Sequence, residues 1–142
     1  MKTPLVSPSF TAADLRGAYA KVKSGADFPA LVRNLKRLGV RTYDHVLAAG
    51  ANVFHGADGH SIRLEQMGPA VPVSRHPDIA LLLWHIAAHQ KGLSDYPTIC
   101  RRAGEAGVAK WVSDLDAMTV TYFDAAGKVM HVEGIPTGGY AP

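Results

Sequence analysis

The sequence predicts an α+β fold made by tandem duplication of an α-α-β-β-β unit, with antiparallel meanders covered by four helices about a pseudo-two-fold axis. Three observations lead there. Apolar residues recur at helical spacing through two segments and then alternate through three, and the same order returns in the second half. Hairpin signals stand at Ala57-Asp58-Gly59 and Asp124-Ala125-Ala126-Gly127. A shift of 68 positions (95 minus 27) aligns residues 27–65 with residues 95–133 without a gap, and ten of the 39 pairs are identical. They include Asp27/Asp95, Pro29/Pro97, Gly39/Gly107, Leu47/Leu115 and Gly59/Gly127. An ungapped register over that length favours duplication over convergence on the same caps and turns.

Each element has a local cause. Thr11-Ala12-Ala13-Asp14 fits a capping box, and Leu15, Ala18, Tyr19 and Val22 follow on one helical face up to a stop at Ser24-Gly25. Asp27 is placed to cap a second helix with Pro29 in its first turn; Phe28, Leu31, Leu35 and Leu38 form its apolar stripe and Gly39 ends it. Residues 42–48, 52–56 and 60–65 read as a three-stranded meander, the last with Ile62 and Leu64 on one face and Ser61, Arg63 and Glu65 on the other. Residues 66–76 carry Gly68, Pro69 and Pro72 and read as a linker. Pro77 opens a third helix, with Ile79, Leu82, Leu83 and Ile86 on its buried face and Gly92 as its stop. Ser94 or Asp95 caps a fourth, which ends at Gly107. Residues 110–115, 118–123 and 128–133 read as three more strands. The expected organisation is one domain over residues 1–142: a repeat at about 10–65, the linker, a second repeat at about 77–134, and a loose Gly- and Pro-rich tail at 135–142.

Composition bounds the function classes. Of 142 residues, 47% are hydrophobic and 19% charged, which suffices for a core and is too little charge for a disordered chain. No apolar run approaches the roughly 20 residues that span a bilayer. Residues 1–9 lack an apolar h-region, so neither a membrane span nor a signal peptide is expected. Cys100 is the one cysteine, so no intrachain disulfide can form, and a cytoplasmic location is expected. The net charge is +3, but the basic residues are scattered, and the largest cluster (Arg33, Lys36, Arg37, Arg41) matches the wet side of a helix. That argues against nucleic-acid binding.

Three segments, GADFPALVRNLKRLGV, HQKGLSDYPTICRRAGEAGVAKW and DLDAMTVTYFDAAGKVMHVEGIP, resemble the DUF1398 or YdfO-like family of small bacterial and prophage proteins. The resemblance covers about residues 10–136, and its most distinctive run is His89-Gln90-Lys91-Gly92-Leu93-Ser94-Asp95-Tyr96. It implies a small α/β fold and carries no established activity.

Few residues point to chemistry. His85 and His89 stand four apart on one helix, the spacing of a metal pair, but the run is H-I-A-A-H and lacks the glutamate of a hydrolytic zinc site. A third ligand would have to come from Cys100, Asp95, His55 or His60; no cofactor is expected, with zinc or another divalent metal as the alternative. Cys100 aligns with Val32, which marks it as core filling. His45 and Ser113 align with each other and fall between core residues, where a polar pair either lines a pocket shared by the two repeats or bonds to nearby backbone. With His89, Asp95 and Tyr96 they form the candidate ligand-binding set. No catalytic constellation emerges, so the favoured reading is a non-enzymatic module that binds an unidentified protein partner or a second copy of itself. An exposed apolar patch or an uncovered sheet face would support it. The competing reading is a small-molecule binder, metal binder or enzyme using a cleft between the repeats.

Overall fold

The computed structural model describes residues 9–23 and 27–135. The expected stop at Ser24-Gly25, the segment before Ser9 and the tail from Pro136 lie outside them. Four helices and six strands follow in the order α1 (Ala12–Ala20), α2 (Phe28–Leu38), β1 (Thr42–Val46), β2 (Ala51–His55), β3 (Ser61–Leu64), α3 (Ile79–Gln90), α4 (Tyr96–Glu105), β4 (Val108–Asp114), β5 (Thr119–Asp124) and β6 (Val129–Gly134). None of the helices is long and apolar enough to cross a membrane.

The strands form one antiparallel sheet in the order β3-β2-β1-β4-β5-β6. The two meanders are joined at its centre by β1 and β4, where Thr42 faces Asp114, Asp44 faces Val112 and Val46 faces Lys110. Alternation then sorts side chains between two faces. Tyr43, His45, Leu47, Phe54, Leu64, Trp111, Ser113, Leu115, Val120 and Tyr122 are buried beneath the helices. Asp44, Val46, Val53, His55, Lys110, Val112, Thr121 and Phe123 share the other face and are only half-buried. Lys110 lies over the Phe123 ring there, 5.4 Å from its centroid. Among the described residues no helix covers this face.

Helix ends follow the sequence with one exception. The Thr11 hydroxyl accepts from Asp14 N–H while the Asp14 carboxylate accepts from Thr11 N–H, which closes the capping box. Asp78 accepts from Leu81 N–H and Asp95 from Thr98 N–H. Asp27 departs from the expectation. It holds the N-cap position of α2 in a helical conformation, and its carboxylate turns back to accept from Lys23 N–H at 2.8 Å.

Two other expectations need correction. The sequence pattern puts Ile79 and Leu83 on the buried face of α3, yet they are 48% and 41% exposed. The face that packs on α4 carries Leu82, His85 and Ile86, and one residue of helix turns a side chain by about 100°. The segment at 66–76 is also more than a linker. It runs as a strap bonded to both halves: Met67 N–H to Gly50 O, Val71 N–H to Leu47 O, and Ser74 N–H to Gly104 O. A Cβ on Gly104 would stand 2.5 Å from the Pro72 carbonyl oxygen, so only glycine lets the strap lie against α4.

Candidate functional site

The buried sheet face gathers polar side chains where β1, β2 and β4 meet the start of α4. His45 on β1 pairs across the ladder with Asn52 on β2 and with Trp111 on β4. Its imidazole is fully buried, with Nδ1 2.6 Å from Asn52 Oδ1. An amide oxygen only accepts, so Nδ1 carries the proton and Nε2 keeps its lone pair. Nε2 lies 3.8 Å from the thiol of Cys100 on α4. The ring is held between Trp111, stacked at 4.7 Å, and the edge of Tyr96 at 5.9 Å. The strap closes the cluster, since a Cβ on Gly68 would stand 3.1 Å from His45 Cε1 and 3.2 Å from Tyr96 Cε2.

Burial sets the electrostatics. It lowers the His45 imidazole below its ordinary value, against the opposing pull of the Asn52 bond, so the ring is neutral near pH 7. It also pushes the Cys100 thiol up to about 12, although Tyr96 and the Arg101 charge act the other way. Burial raises the Tyr19, Tyr43 and Tyr96 hydroxyls as well. Ser113 lies near enough to Tyr43 to favour its ionised form. Its Oγ nevertheless makes no hydrogen bond of ordinary geometry and is fully buried, so the two are neighbours and not a bonded pair.

The structure therefore places His45 and Ser113 on one buried sheet face, sets the half-buried Tyr96 of α4 against His45, and leaves His89 and Asp95 elsewhere. His89 Nδ1 sits 3.0 Å from Ser94 O and 2.9 Å from Ser94 Oγ, which fastens the end of α3 to the turn before α4. Asp95 is fully exposed and serves as the α4 cap. His85 is buried against the edge of Trp84, its Nδ1 without a hydrogen-bond partner. Its imidazole is lowered by burial and then by the Arg102 charge, with Glu105 opposing. The four residues considered as a third metal ligand are engaged apart from the pair. Cys100 meets His45, Asp95 caps α4, His55 faces Asp44 at 3.6 Å, and His60 bonds to the Phe10 carbonyl at 2.8 Å. Among the described residues no three His, Cys, Asp or Glu side chains gather around a metal position.

Sequence reasoning passed over Asn52. The comparison that singled out His45 and Ser113 also reaches it, because the residue 68 positions on is Val120 and a buried amide replaces a core valine. It likewise read Cys100 as filler, and the structure gives that thiol a histidine partner. An open groove of about 350 Å³ runs between α1 and α2 beside Gly17, Lys21, Asn34 and Arg37, and His45, Asn52, Cys100 and Ser113 take no part in its lining.

The DUF1398 family model, described as a protein of unknown function, matches residues 16–134. That is most of the chain, and the chain belongs to this family. No curated protein matches it.

Proposed function

We propose that this DUF1398 protein is an interaction module that docks through the outer face of α3. One observation carries the reading. From Ile79 to Gln90 the helix contains no Asp, Glu, Lys or Arg, and while one face packs on α4 the other stands in solvent. Trp84 is 67% exposed and Leu93, just past the helix end, 70%. A helix that is apolar all round is ordinarily buried all round, and tryptophan is among the side chains enriched where interfaces are anchored. The matching helix of the first half sharpens the contrast. Its cap Thr11 lies 67 positions before the cap Asp78 (78 minus 11), and in that alignment Arg16, Gly17 and Lys21 stand where α3 has Leu83, Trp84 and Ala88.

The occupant favoured is a second copy of the chain. Asp78 immediately precedes the apolar stretch and Lys91 immediately follows it. Two α3 helices running antiparallel set each Asp78 end beside the partner's Lys91 end, oppose their dipoles, and bury no charge between. Sedimentation velocity on the full chain over a concentration series tests this. A dimer that Trp84→Glu converts to monomer, with its melting temperature at low concentration unchanged, is the expected result. A wild-type chain that stays monomeric up to its solubility limit overturns the occupant. A dimer indifferent to Trp84→Glu overturns the surface.

We also read the two halves as copies of one unit. In support, Asp44 pairs with Val112, the residue 68 positions on (112 minus 44), as a two-fold axis through the β1–β4 ladder requires. The β1–β2 pair Thr42/His55 likewise recurs as the β4–β5 pair Lys110/Phe123.

A further inference from the structure

We propose that Cys100, His45 and Asn52 form a nucleophile relay that the strap holds closed, and that when the strap lifts at Gly68 the thiol accepts an acyl group from a small apolar or aromatic ester. Thiol, imidazole and amide stand in the order that cysteine acyl-transfer chemistry uses, at 3.8 Å and 2.6 Å. The tautomer is the one that order needs, with the basic Nε2 toward sulfur and Nδ1–H toward the amide oxygen. Trp111 and Tyr96 hold the ring in that orientation, and an acyl group on the thiol would meet their apolar faces once the strap lifts. A structural histidine needs its polar atoms satisfied, but it does not need a thiol at its basic nitrogen. The matching position in the first half is filled by Val32.

The part of the cover that lifts is the bend about Gly68, between Met67 and the core-buried Val71. Gly68 lies on the imidazole edge between two backbone anchors, Met67 N–H to Gly50 O and Val71 N–H to Leu47 O. Gln66, where the strap begins, holds a left-handed backbone at φ 59°. With the strap down the thiol is protonated and shut in, so the closed form is inert. With it raised, the Cys100 proton passes to His45 Nε2 and the sulfur lone pair forms the S–C bond at the ester carbonyl. The C–O bond to the alcohol then breaks, and the leaving oxygen takes the proton back from the imidazolium. Water later attacks the thioester carbonyl, giving its proton to His45, and the acid leaves as the thiol is restored. Cys100 and His45 are the catalytic residues, and Asn52 is a positioning residue that holds the tautomer.

The test uses the full chain and p-nitrophenyl acetate, with acetylation of the single cysteine followed by intact mass and confirmed by its lability to hydroxylamine. The wild type is expected to acetylate with a rate that rises through an inflection at or below the ordinary imidazole range. His45→Gln is expected to slow that rate about tenfold or more. A merely structural histidine gives the opposite sign, because the variant loosens the fold, exposes the thiol and speeds the reaction. That result overturns the relay, as does a wild-type rate that climbs with hydroxide well past neutrality. Should His45→Gln fail to fold, the wild-type pH profile and Asn52→Ala decide: an unshifted profile in Asn52→Ala overturns the role of the amide.

Discussion

Two regions of the buried sheet face, 68 positions apart in sequence, are built on the same plan and filled differently. In one, His45 faces Asn52 across the ladder, with Cys100, Trp111 and Tyr96 around them. In the other, Ser113 faces Val120, and the matching positions hold Val32, Tyr43 and Phe28. The second set buries one hydroxyl without a hydrogen bond, and the first buries three polar groups that bond in series. A core carries either arrangement: one unpaired hydroxyl costs about 1 kcal/mol, and a fully paired chain leaves no polar group unsatisfied. It does not tolerate half of a chain. The polar set is thus an all-or-nothing feature.

That contrast predicts its own failure modes. The largest effect is expected from giving one region the other's residue: Asn52→Val strips the partner from a buried N–H and should lower unfolding stability by about 2 kcal/mol. Urea denaturation at pH 7.5 measures it, and a loss within error would mean that His45 finds another partner. Acid comes next. The folded pKa of His45 lies below the unfolded value, so its stabilising contribution is complete above about pH 6.5. It is lost as pH falls toward and through the lowered folded value, because the unfolded chain takes up the proton first. His85 is shifted in the same direction, so the loss should persist in His85→Ala. Urea midpoints at pH 7.5 and 5.0 would show it, and equal midpoints in that variant would remove His45 as a neutral buried base. The smallest effect has the opposite sign. Ser113→Ala removes the unbonded hydroxyl and should raise stability by up to about 1 kcal/mol. A clear loss on thermal melting would reveal a hydrogen bond to Tyr43 that the present geometry does not contain.

Most of the architecture was legible in the residues because it rests on local rules. The Thr11 and Asp95 caps, the turns at residues 57–59 and 124–127, and the alternation of Ile62 and Leu64 each follow from a few neighbours in sequence. What escaped depends on tertiary partners. The apolar character of α3 does not say which side meets α4, so the sequence pattern does not separate the exposed Ile79 and Leu83 from the buried Leu82 and Ile86. Asp27 has the residue type of a cap, but its carboxylate finds the backbone of Lys23 instead. The strap has no periodicity to detect, and its contact with α4 is made by backbone against Gly104. For the site, aligned positions pointed to His45 and Ser113 but did not say that the histidine would be completed by Asn52 and Cys100 from two other elements.

The join between β1 and β4 carries a consequence for how the molecule comes apart. Each half contributes its innermost strand to the other's ladder, and the strap is bonded to both. Losing either half would leave the other with a long unpaired edge at what had been the middle of the sheet. Two halves with the same order of elements suggest melting in two steps, as beads on a string do. This one should unfold in a single all-or-none transition, with secondary-structure and aromatic probes tracing the same curve.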